Sequence, residues 1–594
     1  DMFIDGVRDL GGYARDSFNL EQVEIAKGPS SSSAGRGSTG GSVNLVTKTP
    51  HTRADQNISV AVGTDNYTRA TADVNQPLND TKAIRLNLMG HDAGVPGRDV
   101  IKNSSWGIAP SLAIGLGKPT KLTLAYQHLE QDNIPDYGMP RATYEYDPKV
   151  PFTNWYGLKE RDYELIEQDL VTAIIEHTSD RGFTLRNLTR FGSTYRDSLI
   201  TAPRFLSGST TIIRRTDWKS RDQTDEVLAN QTHLDAEFTT GQINHAISAG
   251  LELIREEVKN YTRVEATGTV LPETDVYSPN PNDPYNGAIS RDGAYTRGQG
   301  DTVAFYLFDN IFAGQKWQIV AGLRFDIFDA EYDVVDNTGT KTSYNRTDRE
   351  LSGRVGFVYK PTENSSLYAG IANSFNPSAE GLSLASRGTD YSTVDPEKTN
   401  SYEVGAKWSA WENKLSLGVA LFRTEKSNAR TAGVNPNDPP IVLDGKERVD
   451  GLEFNVAGAL TREWEIFAGL ALMESELAAT NTAGATGNEL GLTPKTTLNL
   501  WSTYHLPFGL TLGGGTQYMA SVFRNSTSGE TVPAYWLFSG MLAYPINSRF
   551  DSAPPTSPTK NISIVSVAVI TSPDKPANSS CRPISRSKRI KKEG

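Results

Sequence analysis

The chain has 594 residues, with 59 basic and 70 acidic side chains and a formal net charge of −11. So acidic a chain is not a general nucleic-acid binder, and we expect no nucleic-acid partner. Its one cysteine, Cys581, excludes an intrachain disulfide framework and cysteine-based zinc or iron–sulfur sites. The seven histidines form no ligand pair at helical spacing, so the sequence predicts no metal site.

The hydropathy profile excludes a helical membrane protein. The mean hydropathy is −0.44, and no stretch approaches the roughly 18 consecutive apolar residues of a spanning helix. A transmembrane β-barrel remains compatible with these values, because its strands alternate lipid-facing apolar residues with lumen-facing polar ones. The chain begins at Asp1 without a signal peptide, and we expect a processed or truncated N-terminus.

Residues 1–53 are rich in Gly and Ser and end in a β-like run at 42–48. Within them, 35–40 fits the pattern G-x-G-x-x-G. A dinucleotide site needs that pattern directly after a strand and at the start of a helix. Here a Ser-rich loop precedes it and a β-like run follows, so we favour a structural role in which the glycines permit close backbone approach.

Residues 54–550 form a long series of segments that alternate with a period of two. Examples are the apolar Leu415, Leu417 and Val419, which alternate with Ser416 and Gly418. Such a period predicts strands with one apolar and one polar or small face. We count about twenty segments, many of ten or more residues, and about nine to eleven residues cross a bilayer as a tilted strand.

The connections in this region alternate between short and long. Short turns are predicted at 77–81, 117–119, 179–182, 239–242, 313–316, 360–364, 411–413, 461–463 and 506–508. Long connections are predicted at 131–162, 198–225, 261–300, 334–347, 376–396, 427–445, 479–491 and 521–532. This is the pattern of an outer-membrane barrel, with short periplasmic turns and long extracellular loops, and a soluble β-protein is the alternative.

Six segments carry recognisable motifs, at 3–7, 23–29, 35–48, 396–405, 448–453 and 533–535. These motifs resemble those of TonB-dependent outer-membrane siderophore receptors, most closely the receptors for catecholate siderophores. The plug motif includes Gly28, Pro29, Gly35, Gly40, Gly41 and Asn44. The resemblance covers residues 1–550 and implies an all-β fold: a transmembrane antiparallel barrel of 22 strands, of which about 20 are recognisable here, filled by an N-terminal plug.

The resemblance also implies a domain division. Residues 1–53 correspond to the C-terminal half of the plug domain, 54–550 to the barrel and 551–594 to a tail. The TonB-binding box and the first half of the plug would precede Asp1 and are missing from this chain.

The tail has an anomalous composition. Residues 551–594 contain eight basic and three acidic residues, a net charge of +5, and no aromatic residue. We hypothesise a reading-frame shift near Asp551, and a disordered Ser/Pro-rich extension is the alternative. Without strands 21 and 22, the first and twentieth strands would expose unpaired backbone groups to lipid. The segment Ile562–Ile570 could supply one short strand.

Candidate binding residues follow from the cargo that the resemblance implies. A ferric catecholate is anionic and aromatic, and the siderophore itself holds the iron, so the protein needs cations and aromatic rings rather than metal ligands or a cofactor. The candidates are Arg8, Tyr13, Arg15, Tyr137, Arg141, Trp155, Tyr156, Tyr277 and Tyr285.

A second set of residues is structural. In the family, plug Arg residues pair with Glu residues of the inner barrel wall. Glu403 and Glu453 match the Glu motifs, and their parity places both in the lumen. The plug partner present here is Lys27, where Arg is commoner, and Lys cannot make a bidentate contact. If such a pair is desolvated, its disruption should cost several kcal/mol.

The sequence therefore predicts an outer-membrane receptor of a Gram-negative bacterium that takes up ferric siderophores, with TonB and outer-membrane lipids as partners. The alternatives are a passive porin-like pore and a non-functional receptor fragment. An enzyme is disfavoured, because no nucleophile–base–acid constellation stands out.

Overall fold

The computed structural model describes most of the chain. It covers residues 1–140, 150–386, 389–392, 394–431, 441–480, 484–527 and 529–545, and the backbone of 563–569 and 582–583. The candidate Arg141 and most of the tail lie outside the described residues.

The N-terminal segment forms a small four-stranded sheet. Its elements are β1 (Met2–Ile4), β2 (Val7–Arg8), β3 (Leu20–Lys27), the short helix α1 (Ser31–Ala34) and β4 (Gly41–Thr47). The strand order is β2-β1-β4-β3, with β1 and β4 parallel and the other pairs antiparallel. Strand β3 is therefore an edge strand, and most of its residues are exposed.

Long antiparallel strands follow, interrupted by very short strands in the loops. The first of them are β5 (Asp55–Val62), β6 (Thr68–Asn79), β7 (Lys82–Gly94), β8 (Lys102–Ile114), β9 (Thr120–Ile134), β10 (Tyr163–Thr178), β11 (Phe183–Thr201), β12 (Arg204–Phe205), β13 (Ile212–Arg214), β14 (Trp218–Thr240), β15 (Ile243–Glu265), β16 (Thr274–Asp275) and β17 (Ile289–Ala313). Strands β12, β13 and β16 form a separate sheet within the loops.

The second half of the chain continues the same pattern. Its strands are β18 (Trp317–Val335), β19 (Lys341–Thr362), β20 (Ser365–Asn376), β21 (Ala385–Ser386), β22 (Thr389–Asp390), β23 (Glu397–Ala410), β24 (Leu415–Thr431), β25 (Ile441–Ala459), β26 (Trp464–Ala479), β27 (Thr496–His505), β28 (Thr511–Met519), β29 (Val522–Phe523), β30 (Thr531–Val532), β31 (Tyr535–Pro545), β32 (Ser563–Val569) and β33 (Arg582–Pro583).

The long strands make one barrel. From β5 to β31 each long strand pairs with the next one in the chain, which gives twenty strands within the described residues. The predicted all-β barrel fold is thereby confirmed. Strand β32 pairs with β31, and β33 pairs with β32. The segment expected to supply a short strand, 562–570, thus contains one in the structure.

The two faces of each barrel strand differ as the alternation predicts. On β15, Glu252 and Glu256 are buried towards the N-terminal sheet, whereas the intervening Leu253 is 43% exposed. Phe305 and Leu307 on the neighbouring β17 are each 53% exposed. Exposed large apolar side chains that recur on one face of many strands, such as Ile58, Val60 and Val62 on β5, mark the face that contacts lipid. No helix among the described residues is long and apolar enough to cross a membrane.

Several long connections are shorter than predicted because the strands extend further, whereas the predicted 479–491 and 521–532 lengthen to 480–495 and 520–534. The predicted loop 261–300 is reduced to 266–288, and 334–347 is reduced to 336–340. Strand β17 has 25 residues, whereas about nine to eleven cross a bilayer. The extensions carry polar residues on both faces, which is why the sequence reads as loop.

Candidate functional site

The loop between β2 and β3, residues 9–19, carries two of the predicted binding residues. Arg15 donates from Nε to Asp9 Oδ2 at 2.6 Å, and the Tyr13 hydroxyl donates to the same oxygen at 2.8 Å. The Arg15 guanidinium also lies 4.5 Å above the centre of the Tyr13 ring. Burial raises the pKa of the Asp9 carboxyl and of the Tyr13 hydroxyl. These three residues therefore form a compact cluster at the tip of the sheet.

Hydrogen bonds attach this tip, the loop 9–19, to the barrel wall. Gln168 donates to the Tyr13 hydroxyl, and Gln131 exchanges two hydrogen bonds with the backbone of Ala14. Arg69 makes two bonds to Asp16, at 2.6 and 2.7 Å. Tyr13 is only 8% exposed. Its ring thus packs against the wall in this structure and is not presented to a ligand.

The sequence analysis did not select two wall cations, of which Arg196 lies beside the tip and Arg221 lies two residues along β14 from the cross-strand partner of Arg196. Arg196 approaches Gly12 so closely that a Cβ there would lie 2.8 Å from Arg196 Nη1. Arg221 is exposed on the strand face that also carries the buried Val227 and Ala229. Parity with these two residues, at i+6 and i+8, was the signal that could have placed Arg221 in the lumen.

The predicted binding residue Arg8 makes a contact between sheet and barrel. It donates to Glu380 at 2.6 Å, to Asp1 at 3.3 Å and to the carbonyl oxygen of Arg36 at 3.1 Å. Glu380 belongs to the long connection between β20 and β23. Arg8 therefore links the N-terminal sheet to an outer loop.

Arg36, which the sequence analysis passed over, makes the most deeply buried ion pair between sheet and barrel. Its guanidinium donates to Glu256, and the two side chains are 5% and 1% exposed. The guanidinium also stacks 4.1 Å from the ring centre of Phe328. Below it, Arg324 pairs with Glu252 at 2.6 Å. These charges are held away from water at mid-height in the barrel.

Of the two predicted partners of Lys27, the structure brings Glu453 into contact with it and not Glu403. Lys27 Nζ donates to Glu453 at 2.6 Å, but the lysine is 68% exposed. Glu403 accepts instead from the Tyr368 hydroxyl. The condition attached to this pair, that it be desolvated, is therefore not met. Elsewhere Arg190 pairs with Asp5 at 2.7 Å.

Three of the predicted loop aromatics belong to a loop core. Tyr156, 1% exposed, belongs to a buried cluster against which Tyr277 packs. Trp155, 4% exposed, donates to the carbonyl oxygen of Pro135 at 2.9 Å. The Tyr156 hydroxyl donates to the carbonyl oxygen of Val276 at 2.8 Å, across two loops. These rings join the loops to one another.

A buried arginine completes this loop core. Arg215, with a fully buried side chain, donates to Tyr156 O at 2.9 Å and to Asp283 at 2.7 Å. The connection 202–217, the part of the connection before β10 at 150–162, and the connection 266–288 are thereby joined. Of the other candidates, Tyr137 is 50% exposed, and the Tyr285 hydroxyl donates to Glu265 at 3.0 Å.

Most plug-motif glycines and Asn44 have identifiable structural roles, and Gly40 has none. Gly28 and Gly35 adopt φ of +74° and +84°. At Gly41, φ is +138° and a Cβ would lie 2.4 Å from the carbonyl oxygen of Ala26, whereas a Cβ at Gly40 would contact nothing within 4 Å. Asn44 accepts from Gly6 N and donates to Glu24, while Pro29 follows Gly28 at the end of β3. In the described residues no group of three or more His, Cys, Asp or Glu side chains could hold a metal ion.

Comparison with known proteins defines the class. Residues 105–569 match the family model described as "TonB dependent receptor-like, beta-barrel". The chain therefore belongs to the TonB-dependent receptors, a family of transport receptors of the Gram-negative outer membrane rather than of enzymes. The match extends 19 residues beyond the predicted barrel boundary at 550 and includes strand β32.

Individual relatives show which receptors of this family the chain is similar to. The chain is 32% identical to the catecholate siderophore receptor Fiu of Escherichia coli K12, over 93% of this chain and 78% of that one. It is 34% identical to the probable TonB-dependent receptor BfrD of Bordetella pertussis, over 92% and 78%. The closed crystal form of the ferric-catecholate import receptor Fiu superposes with a TM-score of 0.85 at 31% identity, over 96% and 84% of the two chains.

Proposed function

We propose that this receptor takes up ferric siderophores of the catecholate type, with the energy supplied by TonB. The observation that carries the proposal is that the barrel lumen holds a folded sheet, which buried ion pairs attach to the wall. Receptors for catecholates are among the relatives of this chain. A sheet held in the lumen in this way favours gated transport over a passive pore, because the cargo can pass only when the sheet moves.

The chemistry at the tip of the sheet suits an anionic aromatic cargo. Arg196 lies on the inner wall beside the tip, where it also pairs with Glu164. Arg221 is exposed two residues along β14 from Gln223, the cross-strand partner of Arg196, and the exposed Tyr137 offers a ring in a loop. Guanidinium groups neutralise the catecholate charge and stack on its rings. The iron arrives within the siderophore, so the protein supplies no metal ligand and no cofactor.

The division of the chain is also part of this proposal. Residues 1–53 serve as the plug portion, 54–550 as the barrel, and the outward apolar faces of its strands contact outer-membrane lipid. The tail 551–594 has no assigned role.

Uptake of radioactive iron tests the function. The protein is expressed in cells that lack their own siderophore receptors, with and without TonB. We expect saturable uptake of a ferric catecholate that requires TonB, and little uptake of a ferric hydroxamate. Uptake that does not saturate and persists without TonB would show a passive pore instead. A protein absent from the outer membrane would show a non-functional fragment.

A further inference from the structure

The lipid-facing side of β11 and β14 carries a group of polar residues. Leu188 of β11 and Ala229 of β14 are fully buried in a cluster with Val7 of the N-terminal sheet. Because side chains alternate along a strand, the residues on either side of these two face lipid. Four of them are polar and form two cross-strand pairs, Asn187 with Thr232 and Thr189 with Asn230. We call these four residues the polar island.

Apolar residues enclose the polar island on every side. Towards the short turns lies the cross-strand pair Leu185 and Leu234, and towards the long loops lies the pair Phe191 and Leu228. The neighbouring strands contribute Ala173, Ile175, Leu251 and Leu253. The island therefore lies within the apolar band. Polar groups at this depth are costly unless protein groups satisfy them, because hydrocarbon offers no hydrogen bonds.

Hydrogen bonds within the island satisfy most of its polar atoms. The amides of Asn187 and Asn230 exchange two bonds, at 3.1 and 3.2 Å. Asn187 also donates to the Thr232 hydroxyl, and Asn230 donates to the Thr189 hydroxyl, each at 2.8 Å. The Thr189 hydroxyl donates in turn to Asn187 Oδ1 at 3.3 Å. All the amide hydrogens of the island are thereby used.

One donor and one acceptor of the island remain unused. Within the described part of the chain, the Thr232 hydroxyl accepts a bond but donates none. Asn230 Oδ1 accepts one bond, although a carbonyl oxygen has two lone pairs. Both oxygens bond to the same nitrogen, Asn187 Nδ2. The spare donor and the spare acceptor therefore lie side by side on the lipid-facing surface.

This arrangement is complementary to itself. A second copy of the chain in the same membrane has the same orientation and presents the same island at the same depth. A two-fold axis along the membrane normal then brings the Thr232 hydroxyl of each copy to Asn230 Oδ1 of the other. Such reciprocal contacts define an isologous interface. An acyl chain cannot make them, and lipid headgroups lie at the edges of the band.

The surrounding face is large enough for a stable contact. It comprises four strands, β10, β11, β14 and β15. At about 4.8 Å between strands and an apolar band about 25 Å tall, the face measures on the order of 500 Å² on each copy. Two such faces bury roughly 1,000 Å², which is the lower limit for a specific interface.

We propose that the receptor forms a homodimer in the outer membrane through this face, with reciprocal hydrogen bonds between Thr232 of one copy and Asn230 of the other. The contact lies on the outside of the barrel and leaves the lumen of each copy free. The proposal rests on the outer-membrane location alone, and it holds whether or not the cargo is a catecholate.

Thiol cross-linking in isolated outer membranes tests the dimer. The full chain is used in a Cys581→Ser background. Leu185→Cys places a thiol beside the island, and Phe467→Cys on β26 is the matched control on a distant part of the wall. These two apolar side chains are 42% and 53% exposed. With a short reagent that joins two thiols, we expect a product of twice the chain mass from Leu185→Cys and little from Phe467→Cys.

Two threonine variants test the reciprocal bonds in the Leu185→Cys background. Thr232→Val removes the spare donor of both copies, so the yield of cross-linked dimer should fall roughly fivefold, from two lost hydrogen bonds within the bilayer. Thr189→Val is the matched control. The Thr189 hydroxyl already donates within its own chain, so its loss should leave the yield unchanged.

Three results would overturn the proposal. One is an equal yield from Leu185→Cys and Phe467→Cys, which would show random collision. Another is an unchanged yield after Thr232→Val. The third is a cross-linked product whose mass is not twice that of the chain, which would show a different partner protein. If Thr232→Val does not reach the membrane, the comparison of the two thiol positions decides alone.

Discussion

Removal of the Arg36 side chain should release the plug segment, residues 1–53, from the barrel. Arg36→Ala leaves Glu256, which is 1% exposed, as a buried carboxylate without its cation. Loss of one partner of a buried ion pair costs about 3–5 kcal/mol. At about 1.4 kcal/mol per factor of ten, the undocked fraction should rise by roughly two to three and a half orders of magnitude.

A buried thiol can report this opening. Ser32 is 1% exposed and lies in α1, four residues before Arg36. We would introduce Ser32→Cys in a Cys581→Ser background and measure the rate of modification by a small thiol reagent. When opening and closing are fast, that rate follows the population of the open state.

Lys27→Ala provides the control. Its partner Glu453 is nearby, but the lysine is 68% exposed, and exposed pairs contribute about 0.2–1 kcal/mol. Labelling should rise less than about sixfold. If Arg36→Ala labels no faster than Lys27→Ala, burial does not set the strength of these contacts and the reasoning is wrong. A double variant with apolar residues at 36 and 256 should restore slow labelling, because no unpaired charge remains.

Three further outcomes are expected. Gly41→Ala should speed labelling of the same thiol by at least tenfold, because its Cβ would meet Ala26 O, and Gly40→Ala should not. Arg215→Ala should speed amide exchange across 266–288, whereas removal of the adjacent, exposed Arg214 should leave it unchanged. Tyr137→Ala should weaken ferric catecholate binding severalfold without loss of thermal stability.

The barrel could be predicted because its signal is local. Alternation with a period of two is visible within ten residues, and it predicts Glu453 on the inner face; in the structure Lys27 donates to this residue. The same reasoning overestimated the loops, because the extensions of β15 and β17 stand in water and need no apolar face. The alternation of apolar and polar residues arises where the outer face of a strand contacts lipid. The alternation is weaker where that outer face contacts water.

The contacts inside the barrel could not be predicted from the sequence. Arg36 lies in a glycine-rich run and its partner Glu256 lies 220 residues further along the chain, so no spacing links them. The loop aromatics illustrate a second limit. Composition does not distinguish a ring that stacks on cargo from one that packs in a loop core, and Tyr156 proved to do the latter.

The contacts between the plug segment and the barrel wall differ in burial. One side of the plug segment is therefore strongly held and the other side is weakly held. The tip, β1 and the residues after α1 are fastened by Asp16, Asp5 and Arg36, whose pairs are buried or half-buried. Edge strand β3 has two ion pairs with the wall among the described residues, Lys27 with Glu453 and Glu21 with Arg85, and its Lys27 and Glu21 side chains are 68% and 47% exposed. Its Ile25 is 69% exposed. Because exposed pairs contribute little, a pulling force would separate β3 from the wall at lower cost than the tip. Movement of the plug segment should therefore begin on the β3 side, while the tip remains in place beneath the outer opening.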